Sequence, residues 1–456
     1  MIHKEQIIGA VDIGTTKIVT IIGKINANQR LEVLGLSCTE SRGVKRGVVQ
    51  NIEETVMSIK HTIKEAEAQA GYKLNEVFVG IAGQHIHSIK SSGYLLRDSY
   101  DNEITAEDLK RLENDMRKIP VDVGEEIIHV IPQSYTVDNE PDIKNPVGMF
   151  GKRIDANFHI VIASVTFANN IKRCIEKSGL QVKSLILEPL ASSEAVLTED
   201  EKEVGVAMID IGGGTSDLAV YYENIIRHTA VIPLGGNIIS KDLKDGLCIL
   251  PRHAEMLKIK HGSALQALAQ PNDFVSVPGI SGREPREIST ATIAGIIQCR
   301  VEEILNFIAL EIERSGFQDK LSAGIVVTGG GSMLKNIRQL INFRTGMDSR
   351  IGFPTEHLVA SSVADVNHPK YATAIGLVFK GYQYLNEHKE VMSFTNIGEE
   401  ITAGFQPNTA PTSENKTAVK EEEFKEPENK DITKSNFLNS LLYKFTVMFD
   451  ENDTKM

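Results

Sequence analysis

Asp12 and Asp210 each end an apolar, β-branched run, and each is followed by a glycine turn rich in hydroxyls. The two stretches are Ala10-Val-Asp-Ile-Gly-Thr-Thr-Lys17 and Met208-Ile-Asp-Ile-Gly-Gly-Gly-Thr-Ser-Asp217. Glycine turns let backbone N–H groups approach phosphate oxygens closely, and threonine hydroxyls add donors. A carboxylate in the same place repels phosphate unless a divalent cation stands between them; Mg²⁺ usually does so through its own waters. One such motif reads equally well as a plain strand and turn. Two, about one domain apart, point to two related domains closing on a single Mg–nucleotide.

A third glycine turn, Gly329-Gly330-Gly331, follows the apolar run Ile325-Val-Val-Thr and precedes Ser332-Met333-Leu334, which reads as a helix start. A helix N-terminus favours anions, but alone this is an ordinary strand-to-helix turn. Neither GxxxxGK[ST] nor GxGxxG occurs, which excludes the P-loop and the Rossmann fingerprint. His85 and His87 form a His-x-His pair with no evident third ligand; two alternate strand positions explain them more simply.

These motifs need strands and helices to hold them. Strands are expected at Ile7–Val11, Ile18–Lys24, Leu31–Leu36 and Glu76–Ala82, with a helix from Asn51 to Ala70 that has Asn51 as N-cap and Glu54 at N3. That alternation argues for an α/β sheet. The rhythm breaks from Gln84 to Ser164, where a capped helix from Thr105, strands at Ile127–Ile131 and Phe158–Ala163, and turn-rich sequence suggest an inserted α+β subdomain. A helix at Ala168–Ser178 and a strand at Val182–Leu187 return to the main sheet. After the Met208 motif, Lys241 to about Arg300 reads as largely helical, followed by a long helix at Ala291–Ser315. Residues 396–434, rich in Thr, Asn, Glu, Lys and Pro, read as a disordered linker.

The formal net charge of -12, with no Lys/Arg-rich block, argues against nonspecific nucleic-acid binding. Cys38, Cys174, Cys248 and Cys299 have no CxxC spacing, which fits a reduced compartment. The first residues lead straight into a strand, so no signal peptide is expected, and no apolar run approaches the roughly 20 residues that span a bilayer.

Taken together, the motifs resemble the actin-like ATPase superfamily, which includes actin, the Hsp70 ATPase domain and sugar kinases. Ala10–Thr20 and Met208–Val220 match its two phosphate segments and Ile325–Leu334 its adenosine segment. Val182–Leu197 and Tyr371-Ala-Thr-Ala-Ile-Gly-Leu377 match its two interdomain helices. Within the superfamily the chain resembles the FtsA family of bacterial cell-division proteins. The insertion falls at Gln84–Ser164 and not earlier, and Gly83-Gln-His-Ile86, Ile131-Pro-Gln-Ser-Tyr135, Gly151-Lys-Arg-Ile154, Arg286-Glu-Ile-Ser289 and Arg300-Val-Glu-Glu-Ile304 continue the match.

The resemblance implies an α/β, two-lobed actin-like/Hsp70-like fold of duplicated ribonuclease H-like sheets with an inserted α+β subdomain. Lobe 1 would comprise 1–83, 165–200 and 361–395, with the insert at 84–164. Lobe 2 would comprise 201–240 and 301–360, with an upper subdomain at 241–300. It further implies that Gly14, Thr15, Thr16 and Lys17 hold the β- and γ-phosphates of ATP, with Gly212, Gly213, Gly214 and Thr215 gripping from the other lobe. Asp12 and Asp210 would orient hydrated Mg²⁺, and Gly330, Gly331 and Ser332 would border adenosine. Glu255 and Lys258, i and i+3 on one helical face, would contact ribose and adenine, although a surface ion pair explains the same spacing. Glu188 would position the attacking water, or serve simply as a carboxylate at a helix N-terminus. Weak ATP hydrolysis at most is implied.

The end of the chain carries its own signal. At about 100° per residue, Phe437, Leu438, Leu441, Leu442, Phe445, Met448 and Phe449 fall within an arc of roughly 140°. A core helix has the same pattern, but this one follows a long linker, so 435–450 reads as an amphipathic membrane-targeting helix lying in the interface. It is less basic than the family's usual anchor: Lys434 and Lys444 face Asp450, Glu451 and Asp453.

The expectation is therefore an ATP-dependent adaptor at the cytoplasmic face of the inner membrane, peripheral and at the division septum. It would self-associate into filaments, with the insert in subunit contacts, and help recruit later division proteins. The resemblance implies that the C-terminal peptide of the tubulin-like GTPase FtsZ docks on 241–300. Arg286 and Arg300 are candidates to pair with it, unless Glu287 or Glu303 already occupies them. A sugar or small-acid kinase would need a substrate pocket with a base beside the γ-phosphate, and a pilus-assembly adaptor normally lacks the linker and terminal helix.

Overall fold

The computed structural model describes residues 6–98, 102–270, 272–279, 284–354, 358–359 and 366–396. All belong to a compact body, Met1–Gly404; the residues Phe437 to Phe449, expected to form an amphipathic membrane helix, lie outside the described residues.

Two five-stranded sheets of the same topology form the frame. In the first, strand Ile7–Ile13 pairs antiparallel with Lys17–Ile25, which pairs antiparallel with Leu31–Glu40. On its other side it runs parallel to Glu76–Ile81, which is parallel to Gln181–Leu187. In the second, Val206–Ile211 pairs antiparallel with Ser216–Tyr222, itself antiparallel to Ile225–Ile232. It also runs parallel to Ile325–Thr328 and, beyond it, Ser349–Ile351. The inner strands are continuous apolar runs because helices cover both faces. Asp12 and Asp210 are each the last residue but one of the founding strand.

The duplicated α/β lobes fold as the pattern implies, with most strands longer than periodicity gives. The helix Ile52–Ala70 turns Val56, Ile59, Ile63 and Ala66 to the sheet; the Asn51 side chain accepts from Glu54 N–H, and Gly71 at φ 74° ends it. Two helices join the lobes. Glu188–Val196 packs on second-sheet strands and Ala372–His388 on the first sheet, and the two cross each other closely. The crossing depends on Gly376, where a Cβ would run into the Ala191 backbone. Gly376→Ala is expected to cost about 1–3 kcal/mol through this overpacking, read as a lower urea midpoint.

The insert is a four-stranded antiparallel sheet, ordered Glu140–Ile143, Glu125–Val137, Arg153–Ser164, Ile86–Leu96. The helix Ala106–Met116, opened by a Thr105–Asp108 capping box, covers one face, burying Leu112 and Met116 against Ile154, Phe158 and Ile160. Polar groups of the insert dock on strand Ile225–Ile232. Gln133 Nε2 donates to Ile226 O at 2.6 Å, Ser88 Oγ donates to Thr229 O at 3.3 Å, and His159 Nε2 lies 2.9 Å from Thr229 Oγ1.

Burial, with His228 nearby, lowers His159 to about 4. The unfolded imidazole takes its proton near 6.5, so this site's stability falls as pH drops from about 6.5 toward 4, by up to about 1.4 kcal/mol per pH unit. His159→Gln is expected to flatten that fall, compared as urea midpoints at pH 7 and pH 5.

Three local expectations are corrected. The block after Lys241 contains two helices, Gly236–Leu247 and Pro251–His261, but then a hairpin of Phe274–Val277 with Arg286–Ser289. Its four-residue strands are too short to register a period. Ser332-Met333-Leu334 does not open an α-helix. Gly330–Met333 is a single 3₁₀ turn closed by Ser332 Oγ onto Gly329 O at 2.8 Å, and the helix begins at Ile337. His85 and His87 are not alternate strand positions, since His85 sits in the turn before strand Ile86–Leu96, where Ile86 N–H donates to Gly83 O.

Candidate nucleotide site

Both glycine loops open onto one cleft between the lobes. Gly14, Thr15, Thr16 and Lys17 line it from the first sheet, and Gly212, Gly213, Gly214 and Thr215 from the second. The loops meet so closely that a Cβ on Gly213 would strike Thr16, and one on Gly214 would stand 2.9 Å from Thr15 Cβ. Only glycine fits, and its absent side chain leaves the backbone bare. Among the described residues the N–H groups of Thr15, Thr16, Gly213 and Gly214 donate to no protein acceptor. Such converging free donors suit an anion with several oxygens, as phosphates have.

The carboxylates stand behind these donors. Asp210, 7% exposed, accepts on Oδ2 from Ser192 Oγ at 2.6 Å and from Thr373 Oγ1 at 3.1 Å, so both crossing helices aim it. Asp12, 3% exposed, has Lys17 Nζ at 3.4 Å. Burial alone would lower Lys17; Asp12 and then Asp210 outweigh it and hold the ammonium above its ordinary value. Glu188 opens its helix at the cleft wall, as the sequence places it. Burial and the carboxylates of Asp12, Asp217 and Asp210 push its pKa far up.

Asp217 was not singled out in the sequence. It pairs in register with Asp210 across the hairpin, is 4% exposed, and leaves Oδ1 buried with no hydrogen-bond partner among the described residues. Burial and then Asp210 raise it well above the carboxylate range, and burial raises Asp210 as well. The matching position in lobe 1, opposite Asp12, is Val19. Counting seven residues on from each motif aspartate would have exposed this asymmetry. Gly47 and Lys370 also line the cleft, and nothing local in the sequence marks either.

Four carboxylates against Lys17 and Lys370 leave room for a cation, and the orphaned Asp217 oxygen points the same way. Among the described residues no three His, Cys, Asp or Glu side chains could hold a metal directly. The donor set therefore fits a hydrated Mg²⁺ gripped through its waters.

The remaining candidates divide. Gly330 lines the cleft, whereas Gly331 packs on Ile211 and Ser332 spends its hydroxyl on the turn. Glu255 and Lys258 share a helical face and pair at 2.8 Å; Ser240 Oγ donates to Glu255, and Lys258 Nζ donates to Gly236 O at 2.9 Å. Gly236 N–H in turn donates to Gly212 O, which ties the pair to the second phosphate loop. Arg286 donates to Leu247 O, the end of helix Gly236–Leu247, at 3.0 Å. Arg300 forks onto Asp242 at 2.5 and 3.1 Å and also binds Glu303. Both guanidiniums are thus engaged inside the subdomain.

Solved structures share this architecture. One is the PilM-PilN type IV pilus biogenesis complex, with a TM-score of 0.60 and 15% identity, over 82% of this chain and 98% of that one. Another is MreB5 of Spiroplasma citri bound to ADP, with a TM-score of 0.51 and 14% identity, over 84% and 98%. The fold is of the actin-like class.

Family models narrow the class. "Cell division protein FtsA" matches residues 207–376, and "SHS2 domain inserted in FTSA" matches 83–162. The FtsA of Pseudomonas aeruginosa is 39% identical over 84% of this chain and 91% of its own length. That of Neisseria meningitidis is 38% identical over 83% and 91%, and that of Escherichia coli K12 is 34% identical over 85% and 93%. The chain belongs to the FtsA family of cell division proteins.

Proposed function

We propose that this chain binds Mg–ATP between its lobes and uses it to set the conformation of a membrane-bound division polymer. The carrying observation is the pair of facing loops with unspent N–H donors above buried carboxylates. Gly14 to Lys17 and Gly212 to Thr215 hold the phosphates, Asp12 and Asp210 hold the Mg²⁺ waters, and Gly330 flanks the nucleoside. When bound, Mg²⁺ neutralises phosphate charge. Asp217 adds an acceptor for the ion's waters, and Ser192 and Thr373 keep Asp210 in place. Glu188, at the cleft wall, is the group that would accept a proton from the attacking water, and hydrolysis is weak at most.

In the rest of the proposal, the chain polymerises and its amphipathic tail lies on the cytoplasmic face of the inner membrane. The subdomain at 241–300 receives the FtsZ C-terminal peptide, and the polymer gathers later division proteins at the septum. Arg300 joins that interface by exchanging Asp242 for a peptide carboxylate. Many weak anchors on one polymer give firm attachment. Co-sedimentation of the full-length protein with liposomes and the FtsZ peptide tests the reading, with ATP expected to increase recovery of both. Recovery that ignores ATP, or phosphoryl transfer to an added sugar panel, contradicts it.

A further inference from the structure

A small hairpin closes over both phosphate loops. Its strands, Val44–Lys45 and Val48–Val49, pair with each other, and its base is pinned where Gly43 O accepts from the N–H groups of Gln50 and Asn51 at 2.8 and 3.0 Å. The two-residue tip is Arg46-Gly47, with φ of 51° and 73°. Two consecutive positive φ values are the mark of a type I′ turn, whose first position suits Asn, Asp or Gly. Arginine there is a poor choice for folding. Residues held in the left-handed region without being glycine gather at ligand clamps.

The surroundings fix this tip on both sides. Gly47 N–H donates to Thr15 Oγ1 at 2.9 Å, joining the hairpin to the first phosphate loop. A Cβ on Gly214 would come within 2.9 Å of Arg46 Cα, so the Arg46 backbone rests on the second loop. The Arg46 side chain is exposed and pairs with no carboxylate among the described residues, unlike Arg300, which binds Asp242. The tip stands over the turns at Thr15 and Gly214, whereas the Gly329–Gly330 turn ends the strand on the opposite side of Val206–Ile211 from Ser216–Tyr222. The Gly329–Gly330 turn and the hairpin therefore lie on different sides of the cleft, so a nucleotide with its nucleoside at Gly330 would extend its phosphate chain toward the hairpin. A guanidinium is planar, permanently charged and able to bind phosphate through two parallel N–H bonds.

We propose that Arg46 is a phosphate-contacting residue that binds the terminal phosphate of ATP from this hairpin, so that the hairpin distinguishes ATP from ADP. The inference rests on the nucleotide reading of the cleft.

Titration calorimetry of the full-length protein with Mg–ATP and, separately, Mg–ADP tests it. Arg46→Gln is expected to weaken ATP about tenfold or more, with ADP changed less than twofold; Arg46→Lys should recover part of the loss. Arg46→Gly relaxes the backbone but lacks the charge, so it should match Arg46→Gln in affinity while unfolding no earlier than wild type. Wild-type ATP affinity in Arg46→Gln, or equal losses for ATP and ADP, overturns the proposal. Failure of the wild-type protein to bind either nucleotide instead overturns the reading beneath it.

Discussion

Asp210→Ala is expected to weaken Mg–ATP binding by at least about a hundredfold while leaving the ligand-free protein folded. The loss follows from the number of groups that converge on one carboxylate: Ser192 and Thr373 aim it, and Asp217 is paired with it in register. Charge-assisted contacts of this kind carry about 1.5–3 kcal/mol each. The tolerance follows from the same crowding. Burial, with Asp12 beside it, raises the Asp210 carboxyl above its ordinary pKa, so at neutral pH its charge opposes folding. Its removal leaves the hydroxyls of Ser192 and Thr373 3.1 Å apart, able to bond each other. Ligand-free stability should therefore stay within about 1 kcal/mol of wild type, or rise. At a hundredfold excess over Kd, wild type should gain about 2.7 kcal/mol from Mg–ATP, and the variant almost none. Thermal shift with and without Mg–ATP reads both quantities; a full shift in the variant removes Asp210 from the site.

Phe445→Glu should abolish sedimentation with liposomes and leave ATP binding unchanged. If the segment is helical, its sequence puts seven large side chains on one apolar arc, Phe445 among them, each worth about 1.5–3 kcal/mol when fully buried. A carboxylate there forfeits one contribution and adds a charge that must stay hydrated, pulling its neighbours out of the interface. Lys434 and Lys444 supply only about 1 kcal/mol each near an anionic surface, against Asp450, Glu451 and Asp453. Wild-type sedimentation should consequently change little between low and moderate salt, where a basic anchor would be screened away. Unchanged pelleting of the variant, or salt-sensitive pelleting of the wild type, rejects apolar insertion as the anchor.

The paired motifs were legible because each compresses its structure into a few consecutive residues: an apolar strand, a penultimate aspartate and a turn that only glycine permits. The capping of Ile52–Ala70 by Asn51 was legible for the same local reason. What depended on register or on distant approach was not. Asp217 acquires its place only when the Asp210 hairpin closes with Asp210 opposite Asp217. Gly47 reaches the cleft through a hydrogen bond to Thr15, 32 residues away, and Lys370 through the turn that precedes the second crossing helix. Periodicity also could not separate the short hairpin Phe274–Val277 with Arg286–Ser289 from its helical surroundings. Glu255 and Lys258 show the limit from the other side. Their shared helical face was correctly expected, but the link from Lys258 through Gly236 to Gly212 is visible only in three dimensions.

The central claim is that two loops, one from each lobe, grip one nucleotide together. Hydrogen–deuterium exchange of the full-length protein with and without Mg–ATP tests it directly, because the unspent N–H groups lie in both loops. Mg–ATP is expected to protect the amides of 14–17 and 212–215 together, with protection lost from both when Mg²⁺ is chelated. Protection confined to one lobe, or none in either, contradicts a shared clamp.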